Sequence, residues 1–179
     1  MPRPTTAADA TPIRVVIVTL GSLARAWSIL KRDYPGIVLS MHAASDWAED
    51  PAALEKARAD IARGDIILAT MLFMEEHINA VFPALKARRE TCDAMVGCMS
   101  AGEVVRLTRV GRFRMGEAGS SSLSFLKRLR GKSGGESSGA EQLKMLKRLP
   151  KILRYIPGTA QDVRAYFLTL QYWLAGSEH

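Results

Sequence analysis

Hydrophobic residues in the first 110 positions follow two patterns in turn, short β-branched runs and stretches with helical spacing. Ile13–Leu20 is such a run, typical of a strand that is buried on both faces of a sheet. Apolar residues then recur at helical spacing up to Tyr34, before Pro35 and Gly36 end the helix. The same alternation predicts strands at Ile37–Met41, Asp65–Leu72 and Ala94–Met99, and helices that begin at Asp50, span Glu75–Arg89 and span Ala101–Val110.

Strands that alternate with helices predict a parallel sheet with right-handed crossovers. The predicted fold class is therefore α/β, a small flavodoxin-like parallel sheet with flanking helices. Four strands make a small sheet, so we expect a later part of the chain to cover one of its edges. Residues 12–110 are predicted to form this head domain, after a disordered tail at residues 1–11.

The second part of the chain has a different pattern. Residues 111–139 are rich in Gly, Ser, Lys and Arg, which predicts a flexible basic linker. Ala140–Tyr155 is a strongly amphipathic helix, and Ala160–Ala175 is an apolar helix on nearly all sides. A helix of the second kind needs cover on several sides. Residues 140–179 are therefore interpreted as the truncated start of a next domain or as an oligomer contact.

The composition is that of an ordinary globular protein, with 47% hydrophobic and 24% charged residues among 179. These proportions exclude a fully disordered chain, a collagen and a long coiled coil. The net charge of +7 comes from residues 111–179, which hold 12 Lys+Arg and 5 Asp+Glu, whereas residues 1–110 hold 13 of each. The basic character therefore belongs to one segment and not to the predicted head domain.

Two cysteines, Cys92 and Cys98, are too few for a disulfide framework, which favours a reducing compartment. The first 11 residues lack the apolar core of a secretory signal. No uncharged stretch reaches the ~20 apolar residues that a membrane span needs. We therefore expect a cytoplasmic location and no transmembrane segment.

Four strings occur in the order LFMEEH at 72–77, CMSAGEV at 98–104, KRLPKIL at 147–153 and IPGTAQDVRAY at 156–166. Together they resemble the N-terminal region of the large, porphyrin-binding (H) subunit of magnesium chelatase. The large subunit of cobalt chelatase is a more distant relative. The resemblance covers nearly everything from Ile13 onward and is densest over 65–110 and 140–177.

The resemblance implies a role in chlorophyll or bacteriochlorophyll synthesis. The H subunit of this family binds protoporphyrin IX and presents it for Mg²⁺ insertion, and two partner subunits, one an AAA+ ATPase, supply ATP hydrolysis. Family members are several times longer, and the residues held responsible for chelation lie in their later body. We therefore expect this chain to control porphyrin access or to dock partners, without a complete active site. It is expected to hold no cofactor itself, since protoporphyrin IX and Mg²⁺ are substrates of the full subunit and ATP binds the partner.

Glu75, Glu76 and His77 form the most suggestive cluster. They follow a predicted strand at the edge where open α/β sheets bind ligands, and two carboxylates with an imidazole could hold a metal. Consecutive helix residues point in different directions, however, so at most two could share a site. Acids at a helix N-terminus are also explained by the helix dipole. A structural or interface role is favoured, with no catalytic or metal-binding residue assigned.

The loop from Gly97 to Gly102 ends a predicted strand at the same edge. Its backbone N–H groups could cradle an anion such as a propionate, but small residues also permit a tight turn, which is the favoured interpretation. Met99 and Ser100 join Glu75, Glu76 and His77 as predicted porphyrin or partner contacts. Two further residues receive structural interpretations, Cys98 as a small buried hydrophobe and His42 as a satisfied surface or edge histidine.

The amphipathic helix carries a basic stripe opposite its leucines. A solvated face is the favoured interpretation, and a docking surface for acidic partner subunits or porphyrin propionates is the alternative. Only Tyr155 adjoins the stripe, so base stacking has little support and no nucleic acid is expected. The other function considered is a stand-alone flavodoxin-like module that dimerises through its apolar last helix. The stripe consists of Lys144, Lys147, Arg148, Lys151 and Arg154.

Overall fold

A computed structural model describes residues 11–21, 36–115 and 159–175. Within these ranges six strands and four α-helices alternate along most of the chain, with one short 3₁₀ turn at Ala44–Asp46. The strands are β1 (Ile13–Thr19), β2 (Ile37–Ala43), β3 (Ile66–Thr70), β4 (Ala94–Cys98), β5 (Arg109–Val110) and β6 (Phe113–Arg114). The helices are α1 (Pro51–Arg63), α2 (Glu75–Arg88), α3 (Gly102–Arg106) and α4 (Thr159–Ala175).

All six strands form one sheet in the order β2-β1-β3-β4-β5-β6. The first four are parallel, and β5 and β6 are added antiparallel at the β4 edge. The order of the parallel strands is the flavodoxin-like order, so the predicted α/β fold class is confirmed. The predicted count of four strands is wrong, because a hairpin extends the sheet.

The hairpin replaces the end of a predicted helix. A helix was expected over Ala101–Val110, but α3 ends at Arg106 and β5 begins at Arg109. Between them the Thr108 hydroxyl accepts a hydrogen bond from the Gly97 amide at 3.0 Å and donates one to the Gly97 carbonyl at 3.1 Å. These two bonds hold the chain against β4, where a helix could not continue. The hairpin covers the β4 edge, as expected for a later part of the chain.

The turn of this hairpin lies where the sequence suggested that a linker begins. Gly111 has a positive φ of 55°, which glycine adopts without strain as the first of two turn residues. Residues 111–115 therefore belong to the sheet. The rest of the predicted linker, and the basic amphipathic helix after it, lie outside the described residues.

The sheet buries side chains on both faces. On the first face, alternate residues of β1, β3 and β4 pack against α1 and α2, and this cluster includes Val16, Ile67, Met95, Ile61 and Leu85. Asp50 caps α1 as predicted, because its carboxylate accepts the amides of Ala52 and Ala53. We call this face the α1/α2 face.

The second face is covered by α4 and is called the α4 face. Val96, Cys98 and Phe113 pack there against Val163 and Tyr166 of the helix. Phe167 and Leu170 join the same cluster, so the apolar stripe of α4 finds cover within the chain. The Asp162 carboxylate also accepts a hydrogen bond from the Arg112 amide at 2.9 Å, which ties the start of α4 to the hairpin turn.

His42 provides a prediction about stability and pH. Its side chain is buried on the α1/α2 face, with Nε2 3.0 Å from Asp60 Oδ2. Burial lowers the pKa of His42 from 6.5, and the Asp60 carboxylate only partly offsets this. Folding therefore disfavours protonation of His42. The stability that the neutral imidazole contributes above pH 6.5 is lost as the pH falls through the lower pKa that His42 has in the folded chain.

We expect His42→Gln to remove part of the fall in unfolding free energy between pH 7.5 and pH 5. Urea unfolding at the two pH values measures this difference for both proteins. Because Gln can still donate to Asp60 but does not titrate here, the comparison isolates the imidazole. Equal slopes in the two proteins would contradict the assignment.

Candidate functional site

The carboxyl ends of the four parallel strands meet along one side of the sheet, called here the carboxyl edge. It consists of the described segments that follow those strands, residues 20–21, 44–50, 71–77 and 99–103. In a sheet of this order, ligands bind at this side, where neighbouring connections diverge. All five predicted contact residues lie here, and they come from two adjacent loops. They are Glu75, Glu76, His77, Met99 and Ser100.

Hydrogen bonds join the loops that follow β3 and β4. The Met71 amide donates to the Met99 carbonyl at 3.0 Å, and the Ala101 amide donates to the Leu72 carbonyl at 2.9 Å. The Ser100 hydroxyl accepts from the Leu72 amide at 3.1 Å and donates to the Cys98 carbonyl at 3.1 Å. Ser100 therefore uses its hydroxyl to hold the two loops together.

Both loops contain a methionine in the left-handed backbone region. Met71 has φ 60° and Met99 has φ 47°, a conformation uncommon for any residue other than glycine. Each costs about 1–3 kcal/mol, and such strain clusters at functional sites. Sequence reasoning missed Met71 and the conformation of Met99, since a methionine in a sequence does not indicate a left-handed backbone conformation. The hydrogen bonds between the two loops therefore hold both methionines in this strained backbone conformation.

An exposed apolar patch lies beside the strained loops. Phe73 is 59% exposed, Met74 50% and Leu20 37%, although each is large and hydrophobic. Scattered single apolar residues need no explanation, but here two consecutive ones are exposed at the carboxyl edge. Sequence reasoning missed this patch, because Phe73 and Met74 follow a buried strand and resemble its continuation.

His77 lies on the inner side of the first turn of α2, whereas Glu75 and Glu76 are exposed. Its ring packs edge-on against Trp47, with centroids 6.1 Å apart. Within the described residues, Nε1 of Trp47 and Nδ1 of His77 are buried and have no hydrogen-bond partner. Buried polar atoms are rarely left in this state, which makes this pair unusual.

The three residues at 75–77 do not form a metal centre. His77 Nε2 lies 3.9 Å from Glu76 Oε1, a long contact with an exposed carboxylate. Across the described ranges, no group of three or more His, Cys, Asp or Glu side chains could hold an ion.

The loop after β4 is shaped by packing. A Cβ on Gly97 would lie 2.8 Å from the Val104 carbonyl carbon, so only glycine lets α3 approach the strand. α3 has five residues, and no side chain caps its start. These contacts account for glycine at position 97, the last residue but one of β4.

Cys98 and Tyr166 are buried together on the α4 face. Burial raises the pKa of the Cys98 thiol. Burial, with the Cys98 side chain adding to it, raises the pKa of Tyr166 to about 12. Both groups are therefore protonated at neutral pH and are not nucleophiles. His77 belongs to the cluster on the α1/α2 side with Trp47, so the structure does not pair it with Cys98.

Most charges of the described carboxyl edge are acidic, although Arg106 Nε donates a hydrogen bond to the Gly102 carbonyl there at 3.1 Å. Its segments contain no Lys or Arg, while arginines such as Arg63, Arg88 and Arg109 lie toward the opposite edge. Acids at helix starts and bases at helix ends suit the helix dipoles and produce this separation. The acidic residues of the carboxyl edge are Asp46, Glu49, Asp50, Glu75, Glu76 and Glu103. The predicted basic stripe at 144–154 lies outside the described residues.

Within the described part of the chain, no helix is both long and apolar enough to cross a bilayer. Residues 14–167 match a family described as a domain of unknown function, DUF3479. The chain is 48% identical over 170 residues to the magnesium-chelatase H subunit of Cereibacter sphaeroides, and 45% identical over 170 residues to that of Rhodobacter capsulatus. Each alignment covers 92% of this chain and 14% of the relative.

A plant relative is more distant. The chloroplastic magnesium-chelatase ChlH protein of Oryza sativa is 36% identical over 120 residues, covering 66% of this chain and 9% of the relative. The chain thus spans a small part of the length of the curated relatives it matches. It belongs to the DUF3479 family, in the form found in the N-terminal region of magnesium-chelatase H subunits.

Proposed function

We propose that this chain works as the N-terminal domain of a porphyrin-binding H subunit in magnesium chelatase. That complex would insert Mg²⁺ into protoporphyrin IX, with ATP hydrolysed by partner subunits, in chlorophyll or bacteriochlorophyll synthesis. The observation that carries the proposal is 48% identity to a bacterial H subunit across 92% of the chain. Within the subunit, the domain controls porphyrin access or docks partners, and chemistry takes place elsewhere.

The groups at the carboxyl edge support a binding role. Phe73 and Met74 offer exposed apolar contact area, and Glu75 and Glu76 offer exposed carboxylates. None of these groups is an activated nucleophile. An accessory role fits this chemistry better than catalysis does.

The charges of the edge favour a protein partner over the porphyrin itself. Protoporphyrin carries two propionates, and exposed Glu75 and Glu76 would repel them by about 1 kcal/mol per close pair in water. A protein surface with lysines or arginines would gain from the same carboxylates. The basic residues Lys144, Lys147, Arg148, Lys151 and Arg154 remain candidates for contact with propionates or with acidic partner subunits.

A magnesium insertion assay tests the proposal. With Mg²⁺, ATP, protoporphyrin IX and the partner subunits, we expect the full-length subunit to form Mg-protoporphyrin and the isolated chain to form none. The reason is that the described residues hold no group of three or more side chains placed to bind a metal ion, and burial raises the pKa of the Cys98 thiol. Product formation by the isolated chain would show that our division of labour is wrong.

Failure of the full-length subunit to insert magnesium, with a characterised H subunit active in parallel, would refute the function itself. Protoporphyrin titration of the isolated chain adds a second readout through quenching of Trp47 and the other tryptophans. Saturable binding at low micromolar concentration would assign this domain to porphyrin access. A folded chain that binds none would assign it to docking.

A further inference from the structure

β2 is the outermost strand on one side of the sheet. In the part of the chain that the structure describes, it pairs only with β1. It has seven residues, and none of them is Lys, Arg, Asp, Glu or Pro. The strand at the opposite side of the sheet, β6, has two residues. Sheets protect their outermost strands by charge, proline or short length, and β2 has none of these protections.

The backbone of β2 presents hydrogen-bonding groups on both of its sides. The Gly36 carbonyl accepts the Ile13 amide of β1 at 3.0 Å. Because these groups alternate in direction along a strand, the even-numbered residues of 36–42 point their N–H and C=O groups toward β1. The odd-numbered residues point theirs outward, and within the described ranges those groups have no backbone partner. The outward residues are Ile37, Leu39, Met41 and Ala43.

The β2 strand of a second copy matches this outer edge when the two strands run antiparallel. If Ser40 lies opposite Ser40 of the second copy, then Leu39 lies opposite Met41. Ile37 lies opposite Ala43 in the same register, and both kinds of pair occur twice. All four of these residues point their backbone groups outward, so each pair exchanges two hydrogen bonds.

The side chains also fit this register on both faces of the sheet. Ser40 and His42 lie on the α1/α2 face, because their β1 partners are Val16 and Val18 of that cluster. The small Ser40 meets its own copy at the centre, where opposite strands approach most closely. His42 lies opposite Val38, and on the other face every pair joins two apolar residues. No pair in this register brings like charges together.

Pairing through β2 on both chains gives a closed dimer. Copies joined from β2 to β6 could add to one another without limit, but β6 has two residues and leaves most of the outer edge of β2 unpaired. Two β2 strands have equal length and pair over all seven residues. We favour a second copy as the occupant, since its matching strand is itself part of the structure.

We propose that the outer edge of β2 is a homodimerisation site, at which two copies of this chain join their six-stranded sheets into one continuous sheet. The backbone groups of Leu39 and Met41 make the central hydrogen bonds, and Ser40 lies on the two-fold axis. The proposal is independent of the proposed function, because it uses only groups of this chain.

Sedimentation velocity of the 179-residue chain at a series of concentrations tests the proposal. We expect a reversible equilibrium between monomer and dimer. Ser40→Lys should raise the dimer dissociation constant at least about tenfold, because two ammonium groups would face each other across the axis. Ser40→Glu should do the same. An equimolar mixture of the two variants should restore the dimer, since each ammonium then faces a carboxylate.

Thr91→Lys and Thr91→Glu are the matched controls, because Thr91 is exposed in the turn before β4, on the other side of β1 and β3 from β2. Both should keep the wild-type dissociation constant, and circular dichroism verifies that every variant is folded. Four results would overturn the proposal: a wild-type chain that is monomeric at every concentration, a dimer that Ser40→Lys leaves intact, an equal effect of Thr91→Lys, or a mixture that does not associate.

Amide hydrogen exchange of the wild-type chain tests the same pairing without a substitution. The Ser40 amide points to β1 and should exchange slowly at any concentration. The Leu39 and Met41 amides point outward, so they should exchange at least about tenfold more slowly in a concentrated sample than in a dilute one. Fast exchange at every concentration would overturn the proposal. Protection of Leu39 and Met41 that does not depend on concentration would also overturn it, and would assign the edge to another segment of the same chain.

Discussion

Gly97→Ala is expected to destabilise the domain by about 3 kcal/mol or more, near the upper end for overpacking in a core. The added Cβ would lie 2.8 Å from the Val104 carbonyl carbon and 3.0 Å from Val105 Cα. Both are backbone atoms of α3, so the clash is not relieved by rotating a side chain. The movement would also break the paired bonds between Gly97 and Thr108 that start the hairpin. Urea unfolding followed by circular dichroism measures the change.

Gly102→Ala is the matched control for this substitution. Its Cβ would meet only the end of the Arg106 side chain at 3.3 Å, and alanine favours a helix. We expect a change within about 0.5 kcal/mol. Similar losses for the two variants would mean that the close approach of α3 to β4 is not what requires glycine at position 97.

Phe113→Ala is expected to cost about 3–5 kcal/mol and to loosen α4 from the sheet. Phe113 is 1% exposed and packs against Tyr166 at a ring-centroid distance of 5.7 Å. Its removal leaves a cavity between β6 and the helix, where Val163 is also buried. Chemical denaturation gives the free energy, and limited proteolysis of the native protein reports faster cleavage within 159–175.

Tyr172→Ala serves as the control on the same helix, because Tyr172 is 67% exposed. Its effect should stay within about 0.5 kcal/mol. If Phe113→Ala were equally mild, α4 would not be part of the core of this domain.

The parallel part of the fold was predictable because each of its elements has a strong local signal. The β-branched run at Ile13–Thr19 and the Asp50-Pro51 start of α1 are examples, and both are found as predicted within one or two residues. The alternation of strands and helices then indicated the α/β fold class. The strand order follows from flavodoxin-like topology, which the structure confirms.

The hairpin was not predictable from local pattern. β5 and β6 have two residues each, and Val104, Val105 and Leu107 before them have helical spacing. What ends the helix is a tertiary contact, the Thr108 hydroxyl on the backbone of Gly97. Tertiary contacts of this kind override propensity and leave no periodic signal.

The five predicted contact residues lie at the carboxyl edge, but their surroundings were only partly recognised. Glu75, Glu76 and His77 follow β3 as the topology requires. Ser100 was assigned as a contact, although its hydroxyl bridges Leu72 and Cys98 within the fold. The exposed patch and the strained methionines depend on backbone geometry, which residue types alone do not reveal.

Magnesium insertion by the full-length subunit carrying E75K/E76K decides whether this domain serves a chelatase through its carboxyl edge. We expect a rate at least roughly fivefold lower than that of the wild type, since reversing two charges at a contact surface costs at least about 1 kcal/mol. Asp93→Lys at the opposite edge should retain the wild-type rate. Equal rates for the two folded variants would mean that the carboxyl edge has no part in magnesium insertion.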